Sequence, residues 1–208
     1  MAPSPYDELN TLLTRYAEVV SKLSIDRLRE CLQSLSTGEV YQLLATVRNG
    51  NRSTAIHLAA MRGHTEVITC LFNSLTAEQK YQLLIIQNVF GVSALHFAAF
   101  RGQTETAMCI YNSVTREQRY QLLIIQTNYG CTPLHCAATR GDTELITHIL
   151  DSVEPAQQIQ LLNIINNDNE TVLDGALQEN NQSTANIIKQ YRSKAYYQRD
   201  ITPAVGKN

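Results

Sequence analysis

Three histidines, His57, His96 and His135, recur at an interval of 39 residues. Histidine is the commonest metal ligand and a frequent general base, so such a series raises both chemistries first. Cys31, Cys70 and Cys109 keep the same interval, and His148 continues their line. Cys136 stands beside His135, a pairing that suggests a thiol nucleophile with its base. Tyr41, Tyr81 and Tyr120 form a further series that ends in Ile159.

The interval itself argues against shared chemistry. Residues equivalent by repeat lie one structural unit apart, whereas the ligands of one metal converge at about 2 Å. Catalytic partners must likewise lie within hydrogen-bond reach. Neighbouring helical residues such as His135 and Cys136 point in different directions, and no third group is placed to orient them. No phosphate-cradling glycine loop is present, nor any HExxH, GxSxG or EF-hand phrase. We therefore assign no catalytic residue, no metal ligand and no cofactor. The cysteines read as small apolar residues packed on a helix, and the tyrosines as packing groups with a polar tip.

The elements that carry these residues are defined by repetition. Around the histidines the text recurs as STAIHLAAMRGHTEV, VSALHFAAFRGQTET and CTPLHCAATRGDTEL, then weakly as ETVLDGALQENNQST. A second phrase lies between them: SLTAEQKYQLLIIQN, SVTREQRYQLLIIQT and SVEPAQQIQLLNIIN, with an earlier copy, SLSTGEVYQLLATVR, one residue out of register. A unit this short cannot bury its own apolar face and must stack on its neighbours, which predicts a solenoid. The expected divisions are an N-terminal helical cap with a degenerate repeat over 1–51 and full units over 52–90, 91–129 and 130–168. A capping repeat over 169–195 and a flexible tail over 196–208 complete the chain.

Each unit reads as helical. A short first helix carries an alanine pair (Ala59–Ala60, Ala98–Ala99, Ala137–Ala138), suited to helix and to close approach. Gly63, Gly102 and Gly141 end it in a left-handed C-cap. A second helix places Val67, Ile68, Leu71 and Phe72 on one stripe. Thr76 with Gln79, and Thr115 with Gln118, look like capping boxes of a third helix, and Pro155 fits its first turn in the next unit. Asn88–Gly91 and Thr127–Gly130 are turn-forming stretches. At the N-terminus, Leu9, Leu12, Leu13, Tyr16, Val20 and Leu23 predict one helix, and a second runs from Ser24 through Leu35.

Composition narrows the classes of partner. Of 208 residues, 44 % are hydrophobic and 17 % charged, with a net charge of -2. The charged fraction lies below the roughly 25 % of an average soluble protein. A near-neutral balance lacks the basic excess of a nucleic-acid binder and any polybasic patch for a membrane surface. No apolar run approaches the roughly 18 residues of a membrane span. The opening MAPSPYDELN has acids where a secretory signal would be basic. Five cysteines without a CxxC pair fit a reducing compartment. We expect a cytoplasmic protein that is monomeric alone, without nucleic-acid binding or membrane insertion.

The phrase Thr132-Pro133-Leu134-His135-Cys136-Ala137 matches T-P-L-H-x-A at every fixed position, and Gly63-His64-Thr65-Glu66 supplies the downstream element. On these residues the chain resembles the ankyrin-repeat family. The resemblance covers Arg52 to about Asp168 clearly and reaches about Tyr191 more weakly. It implies an all-α ankyrin-repeat solenoid, here with three helices per unit and short turns between units. The family repeat is about 33 residues, and the surplus here falls in the added TxEQxYQLL helix, which we expect on the convex back. The final unit has Asp174 and Asn180 in place of the His and the helix-ending Gly, as a cap would. The lengthened repeat resembles ankyrin proteins of bacteria living inside eukaryotic cells, which implies an effector translocated into a host cytosol.

The resemblance also implies a structural role for the His series, whose rings bond backbone and tie adjacent turns. It places partner binding on the turn tips and the exposed side of the first helix. By register the tips are Arg52, Val89, Phe90, Val92, Asn128, Tyr129, Cys131 and Asp168. The first helices contribute Met61, Arg62, Phe100, Arg101, Thr139, Arg140, Gln178 and Glu179. Aromatic residues and arginine are the types enriched where binding energy concentrates. Arg62, Arg101 and Arg140 form a row reversed by Glu179, with Glu66, Glu105 and Glu144 as neighbouring acids that could neutralise it. The implied function is a non-catalytic module gripping another protein. The alternatives are an enzyme using Cys131 or Cys136, and a self-associating structural module.

Overall fold

The computed structural model describes residues 22–46 and 48–201, together with Ser4. Those residues form thirteen helices and no strand, with isolated bridges between Arg48 and Thr54 and between Ile165 and Thr171. α1 (Lys22–Gln33) and α2 (Thr37–Thr46) precede three full units. These comprise α3 (Ala55–Arg62), α4 (Thr65–Asn73) and α5 (Ala77–Leu84); α6 (Ala94–Arg101), α7 (Thr104–Asn112) and α8 (Arg116–Leu123); and α9 (Pro133–Arg140), α10 (Thr143–Asp151) and α11 (Pro155–Leu162). α12 (Val172–Gln178) and α13 (Gln182–Ile201) close the stack.

The first helices α3, α6, α9 and α12 pack side by side in one layer. Their alanine pairs are buried at the contact, which lets the backbones approach closely. The second helices α4, α7 and α10, continued by the start of α13, form the next layer. Leu71, Phe72, Ile110, Tyr111, Ile149 and Leu150 fill the core between them. The third helices bury a Leu pair each (Leu83–Leu84, Leu122–Leu123, Leu161–Leu162) and expose the opposite side. The capping boxes of α5 and α8 form as their sequences predict, Thr76 with Gln79 and Thr115 with Gln118. In α11, Glu154 with Gln157 takes their place ahead of Pro155.

The ends depart from expectation. Except for Leu23, the predicted first N-terminal helix lies outside the described residues, and α1 starts at Lys22 rather than Ser24. The boundary at Ala195 is not a chain break into a loose tail. α13 continues to Ile201 because tertiary partners hold it: Ala195 is fully buried, Tyr191 donates to the Asp151 carboxylate at 2.5 Å, and Asn163 donates to the Tyr196 oxygen at 3.4 Å. Polarity along residues 191–201 conceals this, since the burial depends on α11 lying beneath. The part of the expected tail after Ile201 lies outside the described residues.

Candidate functional site

The histidines are joints rather than ligands. Each sits at the third position of a first helix, and its Nδ1 accepts from the backbone N–H of the N-cap residue, Thr54, Ser93 or Thr132, at 3.2, 3.3 and 3.2 Å. The N-cap hydroxyl donates to the same nitrogen at 2.7–2.8 Å. With Nδ1 an acceptor, Nε2 carries the proton and donates to a carbonyl of the following unit, and for His57 also to that of Ile86 in its own unit. His57 reaches Ile86 and Val92 at 3.0 and 3.1 Å, His96 reaches Cys131 at 3.0 Å, and His135 reaches Glu170 at 3.2 Å. Burial depresses the affinity of these rings for a second proton, to about 4 for His57 and His96, and lowers it for His135. A general base or a zinc ligand needs a free lone pair, and here each is engaged.

The environment of the thiol candidates disfavours the thiolate. Burial pushes the Cys136 thiol up to about 12 and raises that of Cys131. A reactive cysteine needs the opposite shift. Cys31 is buried and Cys70 and Cys109 are half-buried, the latter beside the Thr69 hydroxyl at 3.4 Å. His148 faces Asn112 and stands edge-on to Tyr111. Of the tyrosine and glutamine rows, Tyr120 donates to Gln160 of the next unit at 2.8 Å, a bridge between repeats.

The turn tips are rigidly built. Asn88 Oδ1 accepts from the N–H groups of Phe90 and Val92, and Thr127 Oγ1 from those of Tyr129 and Cys131. Each tip bonds the next: Val89 N–H to Asn51 O, Asn128 N–H to Phe90 O, and Asn167 N–H to Tyr129 O, all at 3.0 Å. Gln87 and Gln126 each donate to carbonyls of two successive tips. Gly91 has φ 73, and a Cβ there would stand 2.6 Å from the Asn128 backbone nitrogen. A side chain at that position is blocked on both counts.

Two adjoining grooves lie on this face, one along the C-terminal parts of the first helices and one between those helices and the tips. The first, about 760 Å³, is lined by Met61, Arg62, Phe100, Arg101, Gln103, Thr139, Arg140 and Glu179. The second, about 500 Å³ and mainly apolar, runs between the tips and the inner helix faces. Its apolar lining is Leu58, Met61, Phe90, Val92, Phe97, Phe100, Tyr129, Cys131 and Cys136. Phe100 is 55 % exposed, Tyr129 69 % and Phe90 46 %, so three rings lie open to solvent on one face.

Most of the residues expected on this face do line it. Arg52, Val89, Asn128, Asp168 and Gln178 line neither groove. Arg52 is taken up by a left-handed turn at φ 59, and Asn128 spends its amide on the Val89 carbonyl. Gln178 donates to Glu170. The alternative that neighbouring acids neutralise the arginine row finds no ion pair to it among the described residues. Among the described residues the ion pairs are Arg29 with Asp26 and Glu66, and Arg116 with Glu154. Arg62, Arg101 and Arg140 belong to none of them, and Arg101 instead lies 6.0 Å from the centre of the Phe100 ring. Reading by register missed Leu58, Phe97, Gln103 and Cys136 as lining residues, and with them the polar Asn49, Asn51, Ser53, Asn88, His96 and Thr127. The first two stand three residues before Met61 and Phe100, on the same helix face, which is the signal that would have found them.

A family model described as ankyrin repeats in three copies matches residues 26–117, and a second, for a single ankyrin repeat, matches residues 129–158. Together they span more than half of the chain, which belongs to the ankyrin-repeat family. Such repeats are generally protein–protein interaction modules. Comparison with curated proteins found no match. Among the described residues no helix is long and apolar enough to cross a membrane.

Proposed function

We propose that this chain is a non-catalytic adaptor that grips a partner protein on the face where the two grooves meet. One observation carries the reading: three exposed aromatic rings stand beside three arginines that pair with no acid among the described residues. Open apolar patches mark contact surfaces, and aromatic and arginine side chains dominate binding hot spots. The bonded tips add preorganisation, which lowers the cost of ordering the face on binding.

The test is capture of the native partner from its cell by the full chain and by the variant combining Phe90→Ala, Tyr129→Ala and Arg101→Glu. The variant loses the partner; retention moves the binding site elsewhere. Sedimentation over a concentration range checks that the free chain is monomeric, and self-association assigns the rings to a homotypic interface. A thiol-reactivity profile checks the catalytic alternative, for which Cys131 or Cys136 must alkylate rapidly near neutral pH. Five thiols without a paired motif support action in a reducing cytosol. The lengthened repeat supports a host cytosol entered as a bacterial effector, and a translocation reporter fused to the full chain tests that placement.

A further inference from the structure

The two grooves share Met61 and Phe100 but differ in chemistry. Equivalent tip positions read Asn51, Phe90, Tyr129 and Asp168, and two residues further along Ser53, Val92, Cys131 and Glu170; the acids of the last tip, Asp168 and Glu170, lie outside the apolar groove. The apolar character is therefore confined to the middle of the stack, with polar residues before it and acids after it. A groove bounded in this way takes an apolar contact at the middle of the stack rather than a ridge running along its whole length. The neighbouring groove presents three guanidiniums and ends in one carboxylate, Glu179. A guanidinium matches a carboxylate with two parallel hydrogen bonds.

The spacing of the row limits the ligand further. The first helices pack side by side, and packed helices lie about 8–10 Å apart. A polyproline-II segment has three residues per turn and rises about 3.1 Å per residue, so every third side chain returns to one edge after about 9 Å. The period of such a segment agrees with the spacing of the helices that carry the arginines, and the Arg140 side chain reaches back toward Gly102 of the preceding unit. We infer that the partner presents an extended acidic segment, with carboxylates at every third residue along Arg62, Arg101 and Arg140. One large apolar side chain between two of them turns into the pocket beside Phe90 and Tyr129. Glu179 stops the acidic run at three and favours a basic or neutral residue beyond it. This inference rests on the proposed binding face and names the chemistry of its occupant.

The test is selection of random twelve-residue displayed peptides on the full chain. The strongest selected peptide is then synthesised with a fluorescent label and titrated by anisotropy. Selected peptides carry acids at third-residue spacing and one Leu, Ile, Met, Phe or Trp. Arg101→Glu weakens the labelled peptide by about 30-fold or more, the scale of a hot-spot residue. A lysine substituted for the matching acid recovers binding to that variant. Circular dichroism of Arg101→Glu and Tyr129→Ala checks that both remain folded. Enrichment of basic or uncharged peptides overturns the inference, as does acidic enrichment indifferent to Phe90→Ala and Tyr129→Ala. Enrichment of nothing also overturns it, because no linear segment is then read. In each case the proposed face still stands if the triple variant loses the native partner, and falls if it keeps it.

Discussion

The units that are followed by another unit differ from the last one at three positions, and each difference has the same cause. His57, His96 and His135 become Asp174; Gly91 and Gly130 become Asn169; Gly63, Gly102 and Gly141 become Asn180. Asp174 keeps the local half of the histidine's task, accepting from the Thr171 backbone N–H at 2.8 Å and its hydroxyl at 2.7 Å. The long-range half has no counterpart in the bonds that Asp174 makes among the described residues. Asn169 and Asn180 keep the left-handed turn at φ 62 and 56. The inner glycines answer a second demand. At Gly102 a Cβ would come within 2.9 Å of the Arg140 side chain, and at Gly130 within 2.7 Å of the Asn167 backbone nitrogen. At Gly130 the neighbouring backbone, and not the turn alone, disfavours a side chain, whereas Arg52 at the same register in the first full unit keeps the left-handed turn without glycine.

Acid provides the largest separation between the two kinds of unit. His57 and His96 titrate near 4 when folded against an ordinary 6.5, so the unfolded chain binds more protons between those values. Stability contributed by the neutral rings is full above pH 6.5 and is lost as pH falls to about 4, by up to roughly 3 kcal/mol for each. Asp174 has the opposite dependence on partners, its hydroxyl and backbone donors from Thr171 holding it below the usual carboxylate value of 3.8. Its contribution is present above that value and is lost only as pH falls further. Urea titrations from pH 7 to 3 should show the histidine loss first, and a His96→Gln variant should have a shallower slope between pH 6.5 and 4. An unchanged slope would break the comparison.

Substitution at a single joint comes next. His96→Ala strands the Ser93 and Cys131 backbone groups and leaves a cavity, at a cost of about 3–4 kcal/mol. Asp174→Ala loses a cap alone, about 1 kcal/mol. Equal midpoint shifts in denaturant would place both residues in the same role.

A smaller contrast concerns the turns. Gly102→Ala meets both a left-handed φ of 66 and the Arg140 side chain, and should cost about 2 kcal/mol. Asn180→Gly meets no such neighbour and should stabilise by a few tenths of a kcal/mol. Arg52→Gly relieves a non-glycine left-handed residue at φ 59 and should raise stability by about 1 kcal/mol. Thermal melts of the three variants order these effects.

Much of the architecture was legible before any coordinates. The 39-residue interval, the alanine pairs, the ending glycines and the Thr-x-x-Gln boxes each specify a local event, and local events repeat where their residues repeat. The grooved face was legible as a set of equivalent positions but not as two grooves, because register states which residues are equivalent and not which of them meet. Phe97 and Leu58 join the face only when the tips of adjacent units close over them. Arg52 and Asn128 leave it because a turn and a neighbouring carbonyl claim them.

By itself the order of residues determined that this chain builds short helices in threes and must stack them, since each unit has an apolar side it cannot cover alone. It also determined that the histidines lie one unit apart and so cannot share a metal. Only the tertiary structure decided that the arginine row has no ion pair among the described residues, that the aromatic rings share a face with it, and that the last helix runs on to Ile201. The physical reason is range: capping and helix periodicity act within a few residues, whereas charge pairing and burial depend on which distant segments the stack brings together.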